Sequence, residues 1–117
     1  MRKEMFNHEI TILRDTYRRL LRRNAKINLI KLTGKTHPAD LAEVFRHFST
    51  EEQIKIFSLM KENEHAAEFL VELDDALVIE LLENESYERI ASIIEEAPTN
   101  DQSGILNILE DEKAQSI

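Results

Sequence analysis

Motifs for catalysis and for phosphate binding are incomplete in this sequence. Residues 34–36, Gly-Lys-Thr, resemble the end of a phosphate-binding loop, but the glycine that this loop needs five residues earlier is replaced by Leu29. His8 begins a string like that of zinc proteases, but the second histidine would stand where the chain has Ile12. The sequence has no cysteine, which excludes disulfides, thiolate metal sites and cysteine nucleophiles. We therefore expect no enzymatic activity.

Acidic side chains offer a different chemistry, the binding of metal ions. His65 and Glu68 stand three residues apart, so a helix would place them on one face, as a mixed metal site requires. A solvent-facing polar pair is the alternative interpretation. Other acidic residues fall in pairs near expected helix ends, where carboxylates commonly compensate the helix dipole instead of binding metal. These pairs are Glu51-Glu52, Asp74-Asp75 and Glu95-Glu96.

Charge is distributed unevenly along the chain, whose formal net charge is −8. Residues 1–36 contain ten Lys and Arg against three Asp and Glu, whereas residues 37–117 contain five against twenty. This division predicts a basic N-terminal helical segment, 1–36, that packs on an acidic body, 37–117, within one domain overall. The acidic body would repel phosphates, so we expect no nucleic-acid partner.

The stretch from Arg18 to Arg23 contains four arginines, which could contact nucleic acid or anionic lipid head groups. It lacks the interleaved aromatic side chains that base stacking needs. We instead expect a helix whose apolar stripe docks on the body while its arginines approach the acidic repeats. A role in binding RNA or lipid would require the arginine face, residues 14–23, to be exposed and not docked.

Composition and apolar spacing predict the elements that position these residues. The chain has 42% hydrophobic residues with only 2 Gly and 2 Pro, which favours a packed helical domain over a β-sandwich or a disordered chain. From Phe6 onward, apolar residues recur every three or four positions and predict a first helix that ends near Asn24. A second short helix is expected to stop at Gly34, and Pro38 suits the first position of the next helix.

The rest of the chain repeats an apolar pattern at a spacing of 12 or 13 residues. A short helix and a tight turn fit each repeat, and such helices stack in helical solenoids. We therefore expect an all-α fold, a right-handed superhelical solenoid of short stacked helices, of the armadillo-like kind. The first apolar column is Val44, Phe57, Phe69, Leu81, Ile93 and Leu106. The second column is Leu41, Ile54, Ala66, Val78, Ile90 and Ser103. The expected helix caps are Thr50, Asn63, Asp74, Ser86 and Asn100.

Four segments of the chain, taken in order, carry a resemblance to a known family. Residues 20–24 read LLRRN, residues 37–43 read HPADLAE, residues 66–73 read AAEFLVEL and residues 89–96 read RIASIIEE. Together they resemble the cytosolic N-terminal domain of MgtE-type magnesium transporters and channels. The HPAD string matches a signature of that domain, and the last segment resembles the helix just before its acidic DDAAD-like motif.

The resemblance implies a superhelical α-solenoid and a regulatory role in ion transport. In full-length members this domain precedes a pair of CBS domains, a connecting helix and a membrane pore. Magnesium bound between the N domain and the CBS domains holds the cytosolic region compact and the pore shut. The resemblance thus implies Mg²⁺-dependent docking against CBS domains of the same or a partner chain, at the cytosolic face of the membrane. It also implies homodimers held largely through other domains, with membrane contact only through a transmembrane region outside this chain.

The metal-sensing residues of the family map onto this sequence at few positions. The glutamate of the family's AAE string is Glu68, which is retained. The DDAAD-like motif reads NDQSG over residues 100–104, so Asn100 and Gly104 replace its first and last aspartates and Asp101 remains. The resemblance therefore implies metal ligands at Glu68, Asp101 and Asn100. We expect only weak Mg²⁺ binding, because two carboxylate charges are lost.

A second function remains open beside magnesium-dependent gating. The chain could be a stand-alone helical-repeat adaptor that binds a protein partner and has degenerate metal sensing. The same small repeat resembles the domains of the flagellar motor switch protein, in which helices dock other proteins. Residues 110–117 look like the start of one more helix cut short, so we expect a domain excised from a longer protein.

Overall fold

The computed structural model describes residues 7–115 of the chain, and the side chains of residues 8–110. Every secondary-structure element in this described part is an α-helix, so the all-α prediction is confirmed. The element bounds are α1 Asn7–Arg22, α2 Lys26–Lys35, α3 Pro38–Phe45, α4 Thr50–Ser58, α5 Asn63–Leu70, α6 Asp75–Glu83, α7 Tyr87–Glu96 and α8 Thr99–Gln115.

The helices divide into two compact units, Met1–Lys61 and Glu62–Ile117. The first unit therefore holds α1 to α4, and the second holds α5 to α8. The predicted division into a basic segment, 1–36, and an acidic body, 37–117, stays a prediction. Within the described residues, no helix has the length and apolar character that crossing a membrane would require.

The core of the first unit forms around α1, which packs against α2 and α3. Tyr17 points from the apolar stripe of α1 and is fully buried. Its hydroxyl shares a 3.0 Å hydrogen bond with the hydroxyl of Thr33 on α2. Its ring meets Phe48 edge to face, with centroids 5.7 Å apart. Burial raises the pKa of Tyr17 above its ordinary value of 10.0, although hydrogen bonds from Thr33 and Thr36 lower it in part.

Asn24 ends the first helix, as the sequence predicts. α1 stops at Arg22, and Asn24 adopts a positive φ of 52°, the left-handed conformation that asparagine tolerates better than most residues. Lys55 of α4 holds this turn, since its Nζ donates to Asn24 Oδ1 at 2.9 Å. The chain then enters α2 at Lys26.

The prediction that Gly34 stops the second helix is wrong. α2 continues through Gly34 to Lys35, and the backbone N–H of Thr36 still bonds to the carbonyls of Leu32 and Thr33. Glycine costs only about 1 kcal/mol inside a helix, too little to outweigh these bonds and the burial of Thr33. The turn comes just before Pro38, whose ring disfavours helical geometry in the residue that precedes it.

The HPAD string forms the start of α3. The Nδ1 atom of His37 accepts a hydrogen bond from the backbone N–H of Ala39 at 3.1 Å and so caps the helix. Pro38 occupies the first turn, as predicted, where its missing N–H costs nothing. Asp40 follows in the same turn and is buried. The signature is therefore a helix N-terminus, and its residue types are those that start a helix.

The apolar columns predict the core well up to the last repeat. Val44, Phe57, Phe69, Leu81 and Ile93 of the first column are all buried. Leu106 is 41% exposed, and the neighbouring Ile105 takes the core position with 1% exposure. The last interval is thus 12 residues, because α8 begins at Thr99 and its helical phase brings residue 105 to the inside. In the second column Leu41, Ala66 and Val78 are buried, Ile54 and Ile90 are half-buried, and Ser103 is exposed.

Three of the predicted caps need correction. Ser49, not Thr50, caps α4 and forms a capping box with Glu52. Glu62 precedes α5 and makes no side-chain cap bond, so Asn63 is already helical. Asn100 lies inside α8, which begins one residue earlier. Asp74 and Ser86 do cap α6 and α7, through bonds to Leu77 and Arg89.

The C-terminal segment also differs from expectation. Residues 110–115 do not start a new helix but continue α8, which runs to Gln115. In the second unit α5 packs against α7 and α8, and α6 and α7 pack against α8. The buried residues of this unit include Ala66, Phe69, Leu70, Val78, Leu81, Leu82, Ile93, Ala97 and Ile105.

Candidate functional site

The second unit carries nearly all of the acidic charge. Its sequence, residues 62–117, contains sixteen Asp and Glu but only two Lys and Arg. The first unit, residues 1–61, contains thirteen Lys and Arg against seven Asp and Glu. The two compact units thus carry opposite net charges, and all three sequence-predicted metal ligands lie on the acidic one. Such a surface attracts cations and repels a second acidic surface.

Glu68 lies on the solvent side of α5. Ala66, Ala67, Phe69 and Leu70 are buried and face the core, whereas Glu64 and Glu68 are exposed one turn apart. Two like charges at this spacing repel each other. The carboxylate of Glu68 is therefore available to an incoming cation or partner, and its apolar neighbours hold the helix in place.

The start of α5 is fixed against the end of α7. Asn63 donates a hydrogen bond from its Nδ2 to Glu96 Oε2. Asn63, which was expected to cap a helix, thus joins two helices instead. Glu96 belongs to one of the acidic pairs near helix ends and is the last residue of α7. Its carboxylate accepts the hydrogen bond from Asn63 of α5.

His65 and Glu68 differ in their exposure to solvent. Glu68 is exposed, whereas His65 is half-buried and its Nε2 atom is shielded from solvent. No hydrogen-bond partner for this nitrogen exists among the described residues. The solvent-facing polar pair is therefore only half correct, because only the glutamate faces solvent.

The remaining ligand candidates lie at the start of α8. Asn100 is exposed and Asp101 is half-buried, both in the first turn. Gly104 follows one turn later, and no atom beyond its chain neighbours and the adjoining backbone of its own helix lies within 4 Å of the place where its Cβ would stand. The site therefore lacks a carboxylate at this position but has room for one.

Two polar contacts that sequence reasoning missed hold α7 and its neighbours. Gln102 donates from Nε2 to the carbonyl of Ala97 at 3.0 Å and so ties the start of α8 to the end of α7. Arg89 Nη1 bonds Glu85 Oε1 at 2.7 Å, with side-chain exposures of only 18% and 9%. Glu85 lies in the turn before α7, so the rule for residues four apart on one helix did not predict the second contact. Both contacts depend on the turns between helices.

The structure brings Glu68 onto a helix that packs against the helix of Asn100 and Asp101, since α5 contacts α8. Within residues 8–110, however, no group of three or more His, Asp or Glu side chains is arranged to hold a metal ion. Carboxylate and amide oxygens are the donors that Mg²⁺ prefers, and it commonly keeps several waters while taking only one or two carboxylates. The donor types therefore suit Mg²⁺, but the side chains described do not form a closed site by themselves.

Most of the arginine face of α1 is exposed. The apolar stripe of the helix packs inward, and Arg18, Arg19, Arg22 and Arg23 are exposed. Arg18 donates from Nη2 to the carbonyl of His47 at 2.6 Å. A cleft of about 460 Å³ beside it is lined by Asp15, Arg18, Arg22 and Glu52. Arg14, at the start of the same face, is half-buried and pairs with Asp15 at 3.2 Å, so the face over residues 14–23 is exposed only in part.

Comparison with known proteins places the acidic helices in a family. No curated protein and no solved structure matches the chain. The family model for the MgtE intracellular N domain matches residues 36–117, which is well over half of the chain. The matched segment begins just before the HPAD string that starts α3 and includes Glu68, Asn100 and Asp101, whereas α1 and nearly all of α2 lie outside it. From its helix-starting signature to the end of α8, this chain belongs to the MgtE intracellular N domain family.

Proposed function

We propose that this chain is the cytosolic regulatory domain of a magnesium transporter or channel, which acts without catalysis by docking against a pair of CBS domains when Mg²⁺ is present. The observation that carries this proposal is the family match over residues 36–117. The CBS domains belong to the same chain or to a partner chain in a homodimer, at the cytosolic face of the membrane. Stacking of the short helices into a superhelical solenoid is part of the same proposal.

The acidic second unit supplies the electrostatics for such docking. Its sixteen carboxylates against two basic residues repel another acidic surface. A bound Mg²⁺ would supply the positive charge that lets two acidic surfaces approach. In this proposal exposed Glu68 offers a carboxylate from α5, and Asn100 and Asp101 offer oxygens from the first turn of α8.

The small number of ligands in this chain suits a shared site. A site completed by a partner needs only one or two carboxylates from each side. Ions that bind the docked arrangement better than the free one shift the population toward docking. Glu68 would therefore bind Mg²⁺ weakly in the isolated chain and more tightly in the complex.

A magnesium titration of the full chain, followed by amide NMR, tests this role. Sodium chloride at equal ionic strength is the control for charge screening. We expect shifts that cluster around Glu68 and residues 100–104. These magnesium-dependent amide shifts should disappear in Glu68→Gln. They should persist in Glu72→Gln, which also removes one negative charge but from an exposed residue just beyond α5. Equal, uniform shifts in both salts would overturn metal sensing by these residues.

A restoring variant sharpens the test. Asn100→Asp together with Gly104→Asp returns two carboxylates to the first turns of α8, where position 104 has room for a side chain. Because carboxylate count sets affinity at such sites, magnesium should bind this variant more tightly than the original chain. Unchanged affinity would show that the start of α8 does not contribute ligands.

The alternative function is a helical-repeat adaptor that binds a protein partner with degenerate metal sensing. The observation that favours it is the replacement of two motif aspartates by Asn100 and Gly104, because fewer carboxylate charges weaken Mg²⁺ binding. Mixing the chain with a purified CBS-domain pair from a transporter of this family, with and without magnesium, separates the two. A complex that needs Mg²⁺ supports regulation, a complex indifferent to Mg²⁺ supports the adaptor, and no complex in either condition overturns docking to CBS domains.

A further inference from the structure

The C-terminal part of α1 and the whole of α2 carry positive charge and contain no acidic residue. Residues 16–39 contain seven Lys and Arg and no Asp or Glu. Nearly all of this stretch lies outside the segment that matches the MgtE intracellular N domain, which begins at residue 36. The family match over residues 36–117 therefore assigns no role to most of these charges.

These charges concentrate where α1 turns into α2. α1 ends at Arg22, Asn24 makes the left-handed turn, and α2 begins at Lys26. We use the term basic corner for four exposed basic residues and one exposed apolar residue on either side of this turn. They are Arg19, Arg22, Arg23, Lys26 and Ile27.

The basic corner has no partner for its charges within the part of the chain that the structure describes. The ion pairs found there join Arg14 to Asp15, Arg46 to Glu43 and Arg89 to Glu85. Of the residues in the basic corner, Arg22 lines a cleft that Asp15 and Glu52 also line. Like charges held this closely repel one another, so an anionic partner would relieve the repulsion.

An exposed apolar side chain follows these charges directly after the turn. Ile27 is 69% exposed, although most large aliphatic side chains of this unit are buried or half-buried. It follows Lys26 directly, in the first turn of α2. A cluster of cations with a protruding aliphatic residue is the combination that the headgroup boundary of a membrane accepts, because lysine and arginine meet anionic head groups while the apolar tip enters the acyl boundary.

We propose that the basic corner is a docking site for an anionic phospholipid surface, with Ile27 entering the headgroup boundary. Single-stranded nucleic acid fits less well, because base stacking needs exposed aromatic rings. The aromatic ring nearest in sequence, Tyr17, is fully buried and hydrogen-bonded to Thr33. An acidic protein surface would match the charges but would leave Ile27 exposed. The proposal is independent of magnesium-dependent gating.

Vesicle co-sedimentation of the full chain tests the proposal. The vesicles are phosphatidylcholine with about one third phosphatidylglycerol, and pure phosphatidylcholine vesicles are the reference. We expect binding to the anionic vesicles that weakens as salt is raised. Arg19→Gln with Arg23→Gln should lower the partition coefficient about 25-fold, at roughly fivefold for each charge near an anionic surface. Ile27→Ser, which leaves the charge unchanged, should also weaken binding.

The matched control removes the same charge elsewhere in the first unit. Arg46→Gln with Lys61→Gln changes two exposed basic residues outside the basic corner and should reduce binding far less. Circular dichroism and melting of each variant establish that it is folded. Equal loss in both double variants, or no binding to anionic vesicles at low salt, would overturn the proposal. Binding to single-stranded RNA that requires Arg19 and Arg23, without vesicle binding, would overturn it in favour of a nucleic-acid partner.

Discussion

The buried hydrogen bond between Tyr17 and Thr33 provides a direct test of how the first unit is held together. The two hydroxyls are 3.0 Å apart, and their residues are 0% and 1% exposed. Water therefore cannot replace either partner. The test is a double-mutant cycle of Tyr17→Phe, Thr33→Val and the two combined, all of which preserve the approximate shape of the core.

Removing one hydroxyl leaves the other buried without this partner, which costs about 1–3 kcal/mol in free energy of unfolding. Tyr17→Phe and Thr33→Val should each fall within this range, because each removes one side of the same buried bond. The double variant removes both partners, so its loss should be smaller than the sum of the single losses. We expect a coupling of about 1 kcal/mol between the two positions.

Urea unfolding followed by circular dichroism measures these losses, with equal slopes required across the variants. Tyr87→Phe is the matched control, because Tyr87 is 89% exposed and carries the same hydroxyl. Its free energy of unfolding should change by no more than about 0.5 kcal/mol. Additive single losses, or a loss in Tyr17→Phe no larger than in Tyr87→Phe, would refute the reasoning that this bond is buried and unshared with water.

Three further predictions follow from particular residues. Burial raises the pKa of Tyr17 above 10.0, so the stability that its neutral hydroxyl contributes is complete below pH 10 and is lost as the pH rises through the folded-state pKa. In urea unfolding, Tyr17→Phe should therefore show a smaller loss of unfolding free energy at alkaline pH than the original chain. Gly104→Ala should raise the free energy of unfolding by about 0.5–1 kcal/mol, because Gly104 lies inside α8 with open space around it; a loss on thermal melting would contradict the helical assignment. Ser49→Ala should lower the free energy of unfolding by about 1 kcal/mol, because it breaks a capping box with bonds of 3.2 and 2.8 Å. Thr50→Ala should leave the free energy from urea unfolding nearly unchanged. A larger loss in Thr50→Ala than in Ser49→Ala would show that Thr50 is the cap.

The opposite charges of the two units bear on both proposals. The first unit, with thirteen basic residues against seven acidic, presents the basic corner. The second unit, with two basic residues against sixteen acidic, presents the exposed carboxylate of Glu68. A chain divided in this way can contact an anionic membrane through one surface and bind cations through another. The net charge of −8 conceals this arrangement, because it sums two units of opposite net charge.

The sequence predicted the helical class, most of the core and the family, because each of these depends on patterns of residues that are near one another in the chain. Apolar spacing placed Val44, Phe57 and Phe69 inside, since burial follows helical periodicity. Pro38 and Asn24 marked the start of one helix and the end of another through their own backbone preferences. The metal candidates could be named from the resemblance but not tested by it.

Only the tertiary structure decided which polar residues are free and which are engaged. Asn63 looked like a helix cap but bonds Glu96 of another helix, and Gln102 reaches the end of α7. Gly34 was expected to end α2 but remains helical, because the hydrogen bonds of the last turn outweigh a small local penalty. The exposure of the arginine face likewise depends on which side of α1 packs against α2 and α3. Local sequence sets backbone preferences and apolar faces, whereas contacts between distant residues arise only when the helices pack.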